Sequence, residues 1–174
     1  MKKNTLNVIL LFILILGRII PHPWNMTPTI TLALFASRLY SPRQAIAITL
    51  LCFIFTDACL ALLQHHNVWG SWSVFTYSAL FAIAYTASAV RTKALPQTCA
   101  LLLSCSMGYW LWTNFGCWLT MPEYSKNIAG LIQCYTMGLP FLKNQIAGDG
   151  LWLLATLAGH HAYQKRMIQS PSSS

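Results

Sequence analysis

Residues 44–63 read QAIAITLLCFIFTDACLALL, and this stretch decides the fold class. A single charged side chain, Asp57, interrupts an otherwise uncharged run. A helix of about 20 predominantly apolar residues is long enough to cross the hydrocarbon core of a bilayer. The stretch therefore predicts a membrane-spanning helix that carries one carboxylate.

Further apolar runs lie on both sides of this stretch and predict an all-α, six-transmembrane-helix bundle. The six predicted helices cover residues 6–20, 29–40, 44–63, 73–90, 96–112 and 148–163. Residues 113–147 mix glycines, prolines and polar residues with apolar ones, so we expect an outer cap with one or two short interfacial helices. A single integral-membrane domain then covers residues 1–166, and a Ser-rich disordered tail covers residues 167–174.

The composition supports a membrane protein. Hydrophobic residues make up 56% of the 174 residues and charged residues 8%, whereas a soluble domain carries about 25% charged residues. The net charge of +8 is spread over several gaps between apolar runs and forms no stripe or aromatic-interleaved patch. This distribution argues against nucleic acid as a partner and for the lipid bilayer.

The basic residues predict the orientation. Eight of the eleven lie in alternate gaps: Lys2, Lys3, Arg38, Arg43, Arg91, Lys93, Lys165 and Arg166. Since cytoplasmic loops carry an excess of Lys and Arg, this alternation predicts that both termini face the cytoplasm. The three acidic residues, Asp57, Glu123 and Asp149, all fall toward the opposite side.

The N-terminal part of the chain has two further features. Lys2 and Lys3 before an apolar run resemble a secretory signal, but no small-x-small site follows, so we expect an uncleaved first helix, with a cleaved signal as the alternative. Residues 21–28 read PHPWNMTP, and three prolines forbid a continuous helix there. Irregular backbone at membrane depth must be buried or line a water-filled cavity, so we expect a loop that dips into the bundle.

Asp57 is the strongest single candidate for a functional residue. A carboxylate at the centre of a membrane helix costs about 3 kcal/mol on insertion scales, so its side chain is expected to face the protein interior or water. Asp57, Ala61 and Gln64 share one helix face, which leads to His65 and His66. We expect a ligand or proton site at Asp57, and an interior hydrogen bond to a neighbouring helix is the alternative.

Aromatic and amide side chains extend this candidate site on the outer half of the chain, where all seven tryptophans fall. The tryptophans predict an aromatic-lined pocket, and an uneven interfacial belt is the alternative. Asp149, after Gly148, is expected either to cap the sixth helix or to contact a ligand. The full set of predicted ligand-binding residues is Trp24, Asn25, Asp57, His65, Trp69, Asn114, Trp118 and Asp149.

No metal, cofactor or catalytic motif emerges. The pairs His65-His66 and His160-His161 cannot chelate a metal alone, because adjacent helical side chains diverge by about 100°. Whether His22, His65 and His66 meet a metal-containing ligand stays open, as does a disulfide between Cys117 and Cys134. The chain has no phosphate-loop, HExxH or GxSxG motif, so we expect neither ATP hydrolysis by that route nor an enzyme.

Several polar motifs carry a resemblance over most of the chain. They are residues 18–28 (RIIPHPWNMTP), 33–35 (ALF), Asp57, 113–118 (TNFGCW), 129–131 (AGL), 134–135 (CY), 139–141 (LPF), Asn144 and 148–149 (GD). Together they resemble a bacterial integral-membrane family of unknown function. That family is similar in architecture to the S-components of energy-coupling-factor (ECF) vitamin transporters, six-helix bundles that bind a vitamin beneath the loops after helices one, three and five.

The resemblance implies a bacterial inner-membrane protein that binds and takes up a vitamin- or nucleobase-like solute, with an energising ATPase module as a partner in trans. Two departures leave partner and solute open. S-components that share an ATPase module carry small residues at four-residue spacing in the first helix, whereas the first helix here has only Gly17. A solitary relative that takes up cobalamin uses a cysteine in the loop after the third helix, whereas residues 64–72 contain none. A membrane-embedded enzyme using Asp57 and a histidine, and a structural membrane subunit without a ligand, are the alternatives.

Overall fold

The computed structural model describes residues 3–21, 25–64, 68–91 and 94–169 of the chain. Within these ranges the protein is all-helical, with six helices and no strand. The helices are α1 (Lys3–Ile19), α2 (Thr29–Leu39), α3 (Pro42–Gln64), α4 (Ser73–Val90), α5 (Leu95–Thr120) and α6 (Ile128–Gln169). The fold class and the number of helices agree with the prediction from the sequence.

The first four helices lie where the apolar runs predicted them, but the fifth and sixth are much longer. The expected cap over residues 113–147 is wrong, because α5 continues to Thr120 and α6 already begins at Ile128. Pro140 lies inside α6, where it removes one backbone hydrogen bond without ending the helix. Glycine and proline are typical of loops, but Gly116, Gly130, Gly138 and Pro140 lie in helices, and only Pro122 lies in the turn between α5 and α6.

The last helix also changes the expectation for the C-terminal tail. Because α6 ends at Gln169, residues 167–169 of the expected disordered tail are helical. The rest of that tail, residues 170–174, lies outside the described part of the chain.

The short helix α2 forms the centre of the bundle and contacts all five other helices. Every residue from Thr29 to Ser37 is buried, and this packing explains why a helix of only 11 residues is stable here. Its C-terminal end is closed by the Tyr40 N–H, which donates to the Ala36 carbonyl at 3.0 Å.

Two apolar clusters hold the surrounding helices against α2. One joins α2, α4, α5 and α6 through residues that include Ile30, Ile83, Leu102 and Leu153. The other joins α1, α2, α3 and α4 through residues that include Leu14, Leu32, Phe53 and Leu80.

The polarity of this molecule is unusual, because large apolar side chains cover its outside while hydroxyl groups lie in its core. Exposed apolar residues occur on α1, α3, α4, α5 and α6, and include Phe12, Phe55, Phe81, Leu103 and Leu154. The buried polar residues include Thr31, Thr49, Thr56, Thr98, Ser106 and Thr156. Most of the buried threonines bond a carbonyl one turn earlier in their own helix, as Thr49 does to Ala45 at 2.8 Å.

Two helices are long and apolar enough to cross a membrane by length and composition. They are residues Pro42–Leu63, with a mean hydropathy of 2.4, and Ser73–Val90, with a mean hydropathy of 1.4. The first contains residues 44–63, the apolar stretch that carries Asp57. Two such helices are compatible with membrane association, and the remaining four do not meet the same test over the described residues.

Candidate functional site

Asp57 is paired with Arg18 across the α1–α3 contact. The Arg18 Nη2 lies 2.6 Å from the Asp57 Oδ1, and its Nε donates to the Thr56 hydroxyl at 2.8 Å. The guanidinium also lies over the Phe53 ring, 3.7 Å from the centroid, which adds a cation–π contact. The two charged side chains are 10% and 16% exposed, so they form a largely buried pair at the end of α1.

A chain of hydrogen bonds continues from Asp57 to the segment before α4. The Tyr77 hydroxyl donates to the Asp57 Oδ2 at 2.7 Å, and the Trp69 indole N–H donates to the Tyr77 oxygen at 3.0 Å. Both carboxylate oxygens of Asp57 are therefore engaged. The predicted site residues Asp57 and Trp69 meet in one network, and Trp69 lies outside the lining of the cavities described below.

A cavity of about 780 Å³ opens beside this pair. We call it the Arg18 cavity. Its lining includes Arg18, Asp57, Asn25, Tyr109 and Gln145. Since Arg18 and Asp57 compensate each other, the described part of this lining carries no net charge.

A second cavity, of about 660 Å³, lies between α5 and α6. We call it the Asn114 cavity. It combines aromatic walls with amides and sulfur: Trp110, Tyr124, Phe141, Asn114, Asn144, Cys117, Cys134, Met121 and Met137 are among its lining residues. The Arg18 and Asn114 cavities share Asn25, Tyr109 and Gln145, so they adjoin.

Asn114 is held in place by the α5–α6 contact. Its side-chain nitrogen donates to the Trp110 carbonyl at 2.8 Å. The Trp110 indole N–H in turn donates to the Gly138 carbonyl at 2.9 Å. A Cβ at Gly138 would meet the Asn114 carboxamide, so only glycine lets α6 approach this closely.

Gln145 is a site residue that the sequence analysis missed. It is 4% exposed, and its Nε2 atom has no hydrogen-bond partner among the described residues. A buried amide donor without a partner costs about 1–3 kcal/mol, so this nitrogen is placed to bond an acceptor that the described residues do not supply. The available signal was spacing, because Gln145 lies one helical turn before Asp149 on the same face of α6.

Asp149 does not open the sixth helix as predicted, because it lies well inside α6 (Ile128–Gln169). It is 0% exposed, and its Oδ1 accepts the Thr31 N–H at 2.9 Å. The Thr31 hydroxyl donates to the Asp149 carbonyl at 2.7 Å. Asp149 therefore caps the N-terminal turn of α2 from a neighbouring helix, which complements the positive end of the α2 dipole. Gly148 allows this approach, since a Cβ there would lie 2.6 Å from the Met26 carbonyl carbon.

The remaining predicted site residues are spread over the same end of the bundle. Asn25 has a left-handed φ of 60° and lines both cavities. Trp118 instead donates to the Ser125 carbonyl at 2.9 Å and packs on Phe115 at 5.6 Å between ring centroids. Trp118 lies outside the lining of both cavities. Trp24 and His65, together with His22 and His66, lie outside the described residues.

The turn between α5 and α6 closes the Asn114 cavity. Lys126 donates to the carbonyls of Trp118 and Met121, and Tyr124 lines the cavity. Burial raises the pKa of the Tyr124 phenol above its ordinary value, so this hydroxyl is neutral at physiological pH and available as a donor or acceptor.

The two cysteines of this cavity are free thiols, and Cys134 donates to the Asn114 carbonyl at 3.3 Å. Among the described residues, no three His, Cys, Asp or Glu side chains are grouped so that they could hold a metal.

One family comparison covers nearly the entire chain. Residues 1–171 match the model of the Family of unknown function (DUF6580). The chain belongs to this family. No curated protein and no solved structure matches it. Membership in DUF6580 agrees with the expected family of unknown function and assigns no activity to the two cavities.

Proposed function

We propose that this DUF6580 member is a six-span protein of the bacterial inner membrane, with both termini in the cytoplasm. It binds a small vitamin- or nucleobase-like solute from the outer side and carries it inward. The site we assign to the solute is the pair of adjoining cavities beside Arg18 and Asn114.

The outward-facing side chains support the membrane part of this proposal. Large apolar residues such as Val8, Phe55, Leu62 and Val74 are more than half exposed, and contiguous exposed apolar surface marks contact with lipid or another protein. Nine threonines and serines are buried instead, among them Thr49, Ser88 and Ser106. Small and hydroxyl side chains inside and large apolar ones outside are the pattern of helices that pack within lipid.

The main support for solute binding is the buried side-chain amide of Gln145. Its Nε2 is without a partner among the described residues at the junction of two cavities of about 780 and 660 Å³. Ligand sites are mostly apolar clefts of about 300–1,000 Å³ with a few convergent polar groups. A solute acceptor bonded to Gln145 would remove the cost of the unpaired donor.

The lining favours a neutral, planar solute. The charges of Arg18 and Asp57 compensate each other at 2.6 Å, so neither is left to neutralise a charged ligand. Trp110, Tyr109 and Phe141 provide aromatic surface, and Asn25 and Gln145 provide amide groups. Aromatic walls with amide donors and acceptors suit a heterocycle whose edge carries both kinds of group.

An uptake role of the S-component type rests on where the lining residues come from. Pro21 and Asn25 follow α1, Val68 follows α3, and Met121 and Tyr124 follow α5. These are the three connections under which S-components hold their ligand, according to the resemblance in the sequence. An energising ATPase in trans belongs to the same proposal.

The enzyme alternative has less support from the geometry. Arg18 and Tyr77 engage both oxygens of Asp57, which leaves this carboxylate poorly placed as a general base. The binding experiment distinguishes a solute-binding protein from a structural subunit without a ligand.

The experiment combines identification of the solute with a matched pair of variants. We expect mass spectrometry of the gently purified protein to detect a co-purifying small molecule, and that compound to raise the melting temperature of the wild type in detergent. Gln145→Leu should weaken binding about 5- to 150-fold, since one lost hydrogen bond to a buried group costs about 1–3 kcal/mol.

Gln133→Leu is the control, because Gln133 is exposed on the same helix. It should bind like the wild type. If no metabolite stabilises the wild type, or if both variants lose stabilisation equally, the proposed binding site is wrong and the structural-subunit alternative gains.

A further inference from the structure

The carboxyl group of Asp149 is the most deeply buried ionisable group that the solute site leaves unused. It is 0% exposed. One oxygen, Oδ1, accepts the Thr31 N–H, whereas Oδ2 has no partner among the described residues. An unpaired charged oxygen in a sealed apolar interior is unfavourable, and ionisable residues inside membrane bundles mark proton or ion pathways as a rule.

Polar groups on one face of α6 continue from Asp149 in both directions. Gln145, Asp149, Thr156 and His160 follow one another at spacings of four, seven and four residues, which places them along a single helix face. Gln145 lines the Arg18 and Asn114 cavities at one end of this face.

A third cavity, of about 250 Å³, lies at the other end of that face, and we call it the His160 cavity. Its polar lining residues are Thr31, Arg38, Thr98, Thr156 and His160. Arg38 belongs to the basic gap that the charge pattern places on the cytoplasmic side. Asp149 thus lies between cavities at the two ends of the bundle.

Thr31 connects the carboxyl group to the His160 cavity directly. Its N–H and its hydroxyl both bond Asp149, and the same residue forms part of the cavity wall. A movement of α2 that shifts Thr31 would therefore alter the surroundings of Asp149 and the shape of the His160 cavity together.

Three helices pack against α6, namely α1, α2 and α5. Of their described titratable groups, Arg18 on α1 and Cys105 and Tyr109 on α5 act electrostatically on Asp149. The adjacent part of α2 presents the backbone N–H groups of Ile30 and Thr31 and the hydroxyl of Thr31. Among the described residues of these helices, Arg18 is thus the only positive charge that acts on Asp149, and Arg18 is already paired with Asp57.

We propose that Asp149 is a proton-carrying group that links the outer cavities to the His160 cavity, so that solute uptake is coupled to proton movement. A proton from water in the outer cavities forms an O–H bond at Oδ2. That bond later breaks, and the proton passes to water or to the His160 imidazole on the inner side. The inference rests on the proposed binding and uptake of the solute, and it gives that uptake a driving force in place of the ATPase module.

Infrared difference spectroscopy of the reconstituted protein tests this directly, with the proton as the only probe. Between alkaline and acidic buffer we expect the wild type to gain the carbonyl band of a protonated, buried carboxyl group, shifted in heavy water. Asp149→Asn should lack the band while still folding, because its amide oxygen can accept the Thr31 N–H. Glu123→Gln, which removes the exposed carboxyl of the α5–α6 turn, should keep it.

Proton flux into vesicles loaded with a pH-sensitive dye provides the second measurement. Under an imposed pH gradient, we expect wild-type vesicles to equilibrate several-fold faster than empty ones, and Asp149→Asn vesicles to behave like empty ones. Gln145→Leu should retain both the band and the flux, so failure of solute binding is distinguishable from failure of the relay. A band that persists in Asp149→Asn, no titrating band in the wild type, or equal flux in wild-type and empty vesicles would overturn the proposal.

Discussion

At the scale of single residues, the pair Arg18 and Asp57 decides how the end of the bundle beside the Arg18 cavity is built. Each charge alone would be costly in an apolar environment, and their 2.6 Å contact joins α1 to α3. The Tyr77 hydroxyl adds α4 to the same carboxylate. The pair therefore fixes three helices around one side of the Arg18 cavity.

Breaking this pair should be far worse than removing it. We expect Asp57→Ala to destabilise the protein by about 3–5 kcal/mol, because it leaves a buried guanidinium without its counter-charge. The double variant Arg18→Met, Asp57→Leu should recover much of that loss, since well-packed apolar replacements of buried pairs are often neutral. Chemical denaturation in mixed micelles measures the free energy of unfolding of the double variant and of its two single variants. If the losses of the single variants simply add up to the loss of the double variant, the two residues are not coupled.

Asn25 shows how a single backbone conformation serves the site. Its φ of 60° lies in the left-handed region that asparagine tolerates better than most residues. Asn25 adopts this conformation shortly before α2, and its side chain lines both cavities. This role needs a conformation as well as an amide group.

At the scale of secondary-structure elements, the contact between α5 and α6 shapes the Asn114 cavity. Side chains of each helix bond the backbone of the other: Trp110 donates to the Gly138 carbonyl, and the Tyr135 hydroxyl donates to the Leu111 carbonyl at 3.0 Å. Their rings also meet, with centroids 5.2 Å apart. Close approach of the two backbones is a condition for all of these contacts.

Gly138→Ala should therefore disturb this contact. The new Cβ would lie 2.9 Å from the Trp110 indole nitrogen and closer still to the Asn114 carboxamide, so we expect a destabilisation of about 1–3 kcal/mol from overpacking and weaker solute binding.

Gly150→Ala is the matched control for this variant, because it lies on the same helix and its added Cβ meets nothing within 4 Å. It should leave stability unchanged or raise it by up to about 1 kcal/mol through helix propensity. Melting curves that rank the two variants the other way would show that the close α5–α6 approach is unimportant.

At the scale of the whole molecule, the proposed orientation rests on the uneven distribution of charge between the two ends of the bundle. The turn between α5 and α6 holds Glu123 and lies at the end of the bundle that carries the Arg18 and Asn114 cavities. The connection after α4 contains Arg91 and belongs to the basic side.

Labelling with a membrane-impermeant maleimide tests this orientation. In a background without reactive native cysteines, we expect Ser125→Cys to react in intact cells. Ala94→Cys, exposed on the opposite connection, should react only after the membrane is opened, because positive loops remain cytoplasmic. Equal labelling of both positions in intact cells would exclude the six-span topology with internal termini.

Hydrophobic periodicity predicted the first four helices well, since each is bounded by local signals such as Pro28, Pro42 and Arg91. It failed for residues 113–147, where Gly116, Gly138 and Pro140 read as loop signals. The two glycines fit inside helices because the side chains of neighbouring residues fill the space beside them: Phe75 beside Gly116, and Asn114 and Trp110 beside Gly138. Such information lies on other helices and is absent from any local window.

The sequence by itself determined the all-helical class, the number of helices, the charge asymmetry and the presence of one carboxylate, Asp57, within an apolar helix, because these follow from local hydropathy and composition. Only the tertiary structure decided which groups meet. Asp57 pairs with Arg18 across 39 positions, and Asp149 caps α2 across 118. Gln145 could be recognised as a candidate site residue only from the structure, because its unpaired amide lines two adjoining cavities. Pairing at such separations depends on how helices pack, and a residue's own neighbours in the chain do not encode it.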